Sequence, residues 1–228
     1  MTFGAVAIVL AAGSGERLGL ATPKAFVTLG GQTILAHAVA AAFASRSIDL
    51  AVVAAPTGSE DLAHAICEPF GAHAVVTGGP SRTASVRAAL EVVPVDTAVV
   101  VCHDAARALA PPSLFTSVVE ALEGWDGVVP VVPVPDTVKR IRDEHVLATE
   151  PRDGLALAQT PQAFGASALR DAHVRAAAAG LEFTDDAAAL EWAGYRVRAI
   201  PGEARNFKIT SVEDLERAEA LMTGVARG

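Results

Sequence analysis

A chain of 228 residues can bury one sizeable core, and 51 % apolar against 19 % charged residues excludes a disordered segment. The net charge of −8 argues against a long polyanion such as duplex DNA, but leaves room for a small phosphorylated ligand held by a few placed cations. Cys67 and Cys102 lie far apart and form no metal-ligand pattern, as expected of buried thiols in a reduced cytoplasmic protein.

The N-terminal run AVAIVLAAG lacks a basic leader and is too short to span a bilayer. It leads straight into glycines and charges, so Ala5–Leu10 reads as a buried strand and no membrane association is expected. A helix follows over Thr33–Ala44, with Ile34, Leu35, Val39 and Phe43 toward the core. Leu50–Ala55 is the second strand, Glu60–Pro69 a helix, and His73–Val76 a third strand. Arg82–Val92 is a helix with Ser81 as its N-cap. Thr97–Cys102 is a strand, Ser113–Leu122 a helix and Gly127–Val132 a further strand. Helices over Ala166–Ala179 and Asp185–Ala193, a strand at Tyr195–Ile200 and a helix over Val212–Met222 complete the chain. Short, nearly continuous apolar strands alternating with helices predict one Rossmann-like, three-layer α/β domain over 1–228, with a mostly parallel sheet covered on both faces.

One segment breaks the alternation. Residues 133–152, PVPDTVKRIRDEHVLATEPR, are the most charged part of the chain and predict a β-hairpin around Arg142–Glu144. A hairpin polar on both faces is only marginally stable alone. Either it packs on a partner subunit or it is a surface loop.

The stretch LAAGSGERLGLATPK raises the question of a nucleotide. Its third glycine comes one position late for a dinucleotide fingerprint, and the second strand ends in Ala54-Ala55-Pro56 where an acidic residue would hold a ribose. A P-loop string is absent. What remains is a glycine turn carrying Arg17 and Lys24, in which Gly13 and Gly15 let backbone N–H groups approach phosphate oxygens. A plain βα turn is the alternative. Asp104 stands just past an apolar strand, where ligands bind in open α/β sheets, and suits Mg²⁺ as a hard oxygen ligand. Capping of the following turn is its other reading.

AAGSGERLG followed by PKAF resembles the signature of nucleotide-sugar-type pyrophosphorylases and cytidylyltransferases. With GGPSRTASV, VCHDAARAL, PVPDTVKR, QTPQAF, FTDDAAALEWAG and NFKIT in this order, the chain from Leu10 to Thr210 resembles the 2-C-methyl-D-erythritol 4-phosphate cytidylyltransferases. The resemblance implies transfer of CMP from CTP to methylerythritol phosphate with release of pyrophosphate, and Mg²⁺ as cofactor. It implies that Arg17 and Lys24 stabilise the transition state, and that Ala11, Ala12, Gly13, Ser14, Gly15 and Lys24 cradle the CTP. Gly79 would read the base, Ser85 would contact the nucleotide, and Asp104 would hold the metal beside both substrates. Arg107, Thr160, Thr184 and Lys208 would form the acceptor site. The hairpin would be a dimerisation arm, delivering Thr137 and Arg152 to the partner's active site in a homodimer. No general base is implied, because the attacking phosphate is already ionised; His103 reads as support for its neighbour.

Two departures from the family pattern stand out. Pro80 occupies a position where an acidic residue is frequent, and proline offers no N–H there. Ala108 replaces the usual proline after HDAAR. The rival readings are a cytidylyltransferase for a pentitol phosphate such as ribitol 5-phosphate, a silent nucleotide-binding domain, and an NAD-dependent oxidoreductase that the glycine spacing disfavours. Some relatives are fused to the cyclodiphosphate synthase of the same pathway. This chain ends soon after its last helix, which predicts a monofunctional protein.

Overall fold

Strand β1 (Ala5–Leu10) is buried along its length and forms the centre of the sheet. It pairs in parallel with β4 (Leu50–Ala55) on one side and with β6 (Val99–Asp104) on the other. The computed structural model describes residues 4–13 and 22–224. β5 (Ala74–Thr77) extends the sheet in parallel beyond β4. On the other side the order runs β6, β11 (Gln162–Gly165), β7 (Gly127–Pro133), with β11 antiparallel to both neighbours. β10 (Ala156–Ala158) pairs antiparallel with residues 131–133 of β7, while β12 (Val197–Pro201) pairs in parallel along 127–131 and so holds the opposite edge.

The alternation of side chains along the central strands separates two helical layers. Val6 and Ile8 face a cluster with α3 (Arg82–Leu90), α5 (Ala166–Ala178) and α6 (Asp186–Trp192). Ala7 and Val9 face clusters with α1 (Ile34–Ala44), α2 (Glu60–Cys67) and α4 (Pro112–Glu120). Ile34, Leu35 and Val39 are fully buried in α1, whereas Phe43 is only partly so. The closing helix α7 (Val212–Met222) begins in a capping box between Ser211 and Asp214 and packs against Leu29 and Ile34. The result is a single three-layer α/β domain with a mostly parallel sheet.

Several features differ from the expected elements, beyond shifts of a residue or two at helix ends and in β12. Strands β10 and β11 run antiparallel and were not read from the sequence, nor was the small hairpin β2 (Thr28–Leu29) and β3 (Gln32–Thr33). The strand expected at Thr97–Cys102 is shifted to Val99–Asp104, which brings Asp104 into the last ladder position beside Leu10. The charged hairpin is present as β8 (Val138–Arg142) and β9 (His145–Glu150), a separate two-stranded sheet whose residues are almost all exposed.

Candidate active site

The chain leaves β1 toward β4 on one side, whereas β6 lies on the other. The carboxyl ends of β1 and β6 therefore meet at a point where the strand order reverses, the usual ligand crevice of open α/β sheets. Two adjoining cavities open there, of about 530 and 220 Å³, and Arg82, Asp104 and Lys208 stand in the walls of both. The larger is lined by Ala11, Ala12, Gly13, Lys24, Gly79, Pro80 and Ser85, and its volume falls within the usual range for a nucleotide-sized ligand. Arg107, Gln159, Thr160, Gln162 and Thr184 line the smaller.

Backbone closeness shapes the larger cavity. A Cβ on Gly78 would stand 2.2 Å from the Ala12 methyl, and one on Gly79 2.4 Å from that of Ala84, so only glycine lets this loop lie against the end of β1 and the start of α3. Ser85 Oγ accepts from Gly79 N at 3.1 Å and donates to Ser81 O at 2.9 Å, fixing the loop to the helix. Ser81 Oγ caps α3 by accepting from Ala84 N at 3.0 Å. Ser85 is 3 % exposed, so it shapes the wall as well as facing the cavity.

Charges meet where the cavities join. Arg82 Nε donates to Asp104 Oδ1 at 3.2 Å, and its Nη1 donates to Asp186 Oδ2 at 2.8 Å. Lys208 Nζ donates to Asp104 Oδ2 at 2.7 Å. His173 Nε2 pairs with Asp186 Oδ1 at 3.1 Å. Burial opposes ionisation of Asp104, but the Arg82 and Lys208 charges override it and hold the carboxyl well below the usual range. Asp186 is buried too, and Arg82 and His173 depress its carboxyl in the same way. Burial opposes the Arg82 charge, yet the two carboxylates more than restore it.

Behind Asp104, Thr160 Oγ1 accepts from Asp104 N at 2.9 Å and pairs with His103 Nδ1 at 3.0 Å. Thr160 is 4 % exposed, so its hydroxyl steadies the Asp104 backbone while its side chain walls the smaller cavity. Asn206 Nδ2 donates to Thr160 O at 2.9 Å and to Gln159 Oε1 at 3.2 Å, tying the Lys208 segment to the same loop. Arg107 Nη1 and Nη2 donate to Asn206 O at 2.6 Å and Ala158 O at 3.0 Å.

His103 is fully buried against the edge of Phe115, and burial pushes its pKa down from 6.5 to about 4. Its neutral ring supports Thr160 and Asp104, as the sequence reading held. A histidine whose folded pKa is lowered destabilises the fold on acidification. The unfolded chain binds the proton first, so stability falls as pH drops from about 6.5 toward about 4 and levels off below that. Melting curves of the parent should show this slope. His103→Gln should show a flatter one across the same window, and an unchanged slope would assign it to other groups.

The structure brings together Ala11, Ala12, Gly13, Lys24, Gly79, Ser85, Asp104, Arg107, Thr160, Thr184 and Lys208. Ser14, Gly15 and Arg17 lie outside the described residues. Thr137 and Arg152 are exposed and away from both cavities of their own chain. Arg152 Nη1 donates to Pro135 O at 2.6 Å, at the base of the hairpin. Sequence reasoning passed over Arg82, Asp186 and His173. Arg82 stood in view within GGPSRTASV and Asp186 within FTDDAAAL, but only the fold shows that they meet.

The donor set can be tested against a divalent metal. Among the described residues no group of three or more His, Cys, Asp or Glu side chains converges. Asp104 offers a single ionised carboxylate facing both cavities, and its Oδ2 is held by a lysine whose side chain is 40 % exposed. That fits Mg²⁺, which takes one or two carboxylates and draws its other ligands from substrate phosphates and water.

The profile of the IspD family, 2-C-methyl-D-erythritol 4-phosphate cytidylyltransferase, matches residues 5–224. The chain is 46 % identical over 219 residues to the 2-C-methyl-D-erythritol 4-phosphate cytidylyltransferase of Frankia casuarinae, covering 95 % of this chain and 80 % of that protein. It is 48 % identical over 219 residues to the enzyme of the same name from Rhodococcus jostii, covering 95 % and 94 %. The crystal structure of 2-C-methyl-D-erythritol 4-phosphate cytidylyltransferase from Thermus thermophilus superposes with a TM-score of 0.81 at 38 % identity, covering 95 % of this chain and 98 % of that one. With these matches spanning the chain, and the cavities and their charges set where β1 and β6 end, the chain belongs to the 2-C-methyl-D-erythritol 4-phosphate cytidylyltransferase family.

Proposed function

We propose that this chain transfers CMP from CTP to 2-C-methyl-D-erythritol 4-phosphate, giving 4-diphosphocytidyl-2-C-methyl-D-erythritol and pyrophosphate. The observation that carries this reading is the junction of two cavities at Asp104, Arg82 and Lys208, one nucleotide-sized and one smaller. A phosphate oxygen of the acceptor attacks the α-phosphorus of CTP, and the bond from that phosphorus to the bridging oxygen breaks to release pyrophosphate. Both reactants are anions, so the obstacle is charge repulsion, and preorganised cations are the remedy. Lys24 lines the nucleotide cavity and, with Arg17, stabilises the charge that develops on the transferring phosphoryl group. Lys208 and Arg107 line the smaller cavity and hold the acceptor phosphate. Asp104 would hold Mg²⁺ bound to the triphosphate, and the metal would neutralise charge on it.

Three further points belong to the same reading. The exposed β8–β9 hairpin acts as an arm between two copies in a homodimer, which gives its exposed faces something to pack on. Thr137 and Arg152 then serve the partner's acceptor site. The protein works in the cytoplasm; no helix among the described residues is long and apolar enough to cross a membrane, and both described thiols are buried and free.

Pyrophosphate release tests the reaction, with CTP, ATP, GTP and UTP each offered against methylerythritol phosphate and ribitol 5-phosphate. Turnover should require CTP and methylerythritol phosphate; preference for ribitol phosphate would move the acceptor assignment, and silence with all pairs would overturn the activity. Lys24→Ala should lower kcat by about 10²–10³ with the melting transition retained, since one preorganised cation is lost. Near-normal turnover in that variant would remove Lys24 from the transition state.

A further inference from the structure

Asp185 and Asp186 stand side by side at the start of α6, and the helix needs only one of them as a cap. Asp185 is the N-cap, its Oδ1 accepting from Ala188 N at 3.0 Å. Asp186 turns inward and is 1 % exposed. A buried carboxylate is strongly unfavourable unless it is paired, and Arg82 and His173 form ion pairs with it.

A guanidinium facing one carboxylate favours a two-bond fork onto both oxygens. Here the guanidinium is shared instead, with Nε on Asp104 Oδ1 and Nη1, on the opposite edge, on Asp186 Oδ2. The third nitrogen, Arg82 Nη2, is buried and has no partner among the described residues, so the aim of the guanidinium rests on these two acids. Asp104 Oδ2 is thereby left to Lys208. Asp104 has one oxygen on a fixed cation, with an Arg82 side chain 19 % exposed, and the other on a lysine 40 % exposed.

We propose that Asp186, braced by His173, is a positioning residue for the transfer: it draws Arg82 away from a two-oxygen grip on Asp104 and keeps Asp104 Oδ2 open to Lys208 and the substrate complex. The inference rests on the roles of Asp104 and Lys208 in the proposed function. Removing the Asp186 charge releases Nη1, and Arg82 turns its Nε–Nη2 edge over both oxygens of Asp104. Lysine carries a point charge with no fork to redirect, so the effect of Asp186 depends on arginine at position 82.

The test is a cycle of full-length parent, Asp186→Asn, Arg82→Lys and the double variant. Asp186→Asn should lower kcat roughly 10-fold in the parent background but less than about 2-fold in the Arg82→Lys background. Equal losses in the two backgrounds, as a merely structural role would give, overturn the proposal. A second readout needs no turnover. The Arg82 Nε–H signal in ¹⁵N-labelled protein, identified by its loss in Arg82→Lys, should shift in Asp186→Asn; an unmoved signal also overturns the proposal. If Asp186→Asn shows no cooperative unfolding, His173→Gln takes its place in the same cycle, with a smaller kcat loss that again vanishes in the Arg82→Lys background. Absence of turnover in the parent would sink the proposed reaction alone, because the resonance still reports whether Asp186 aims Arg82.

Discussion

Asp104→Asn should lower kcat by about 10³-fold and raise the Mg²⁺ concentration needed for half-maximal activity, in a protein that still folds. The amide keeps the shape of the side chain and removes its charge. Arg82 then retains Asp186, and Lys208, already 40 % exposed, turns to solvent, so neither cation is stranded. That matters for the stability cost. Removing one partner of a fully buried ion pair costs about 3–5 kcal/mol, and here the cost should fall below that range because one surviving cation is paired and the other is wet. The activity loss has a different origin. Asp104 is the acidic residue common to both cavities, so without it a phosphate-bound cation would lose the protein ligand proposed for it. The check is a Mg²⁺ titration of pyrophosphate release alongside a melting curve. Parental rate and parental Mg²⁺ dependence would make Asp104 a structural residue.

The strands that carry this site were readable because both faces of a central parallel sheet are covered. Ala5–Leu10 and Leu50–Ala55 are apolar on both faces, and the structure returns them with those bounds. β11 was not readable, because QAFG holds four residues after a proline and gains its stability from insertion between β6 and β7. β10 is three exposed residues on a ladder, with no apolar alternation to betray it. The β2–β3 hairpin did leave a signal, since Gly30 and Gly31 both adopt positive φ at its turn, as a tight hairpin requires. The site divides in the same way. Asp104 was legible from its place at a strand end. The Arg82–Asp186–His173 chain was not, since residues from α3, α6 and α5 meet only after the sheet has assembled. No local pattern marks an arginine that will be shared by two acids.

Mixing inactive Arg17→Ala and Arg152→Ala proteins should restore activity, if the hairpin crosses to a partner. Among the described residues of its own chain, Arg152 lines neither cavity around Asp104. It is anchored to Pro135 O, and the groove of about 760 Å³ that it lines shares no residue with either cavity around Asp104. A complete site in the proposed dimer takes Arg17 from one chain and Arg152 from the other. Each homodimer therefore carries one lesion in every site and should be nearly inactive. Unfolding and reassembling an equal mixture makes half of the dimers mixed. In each mixed dimer one site collects both lesions and the other collects neither, so about a quarter of all sites should recover under random pairing in a two-fold dimer. If Arg152 acts within its own chain, exchange leaves at least one lesion in every site and no activity returns. A mixture that stays inactive after subunit exchange has been verified by mass labelling refutes the shared site. It would leave the hairpin as an intrasubunit lid or a surface loop.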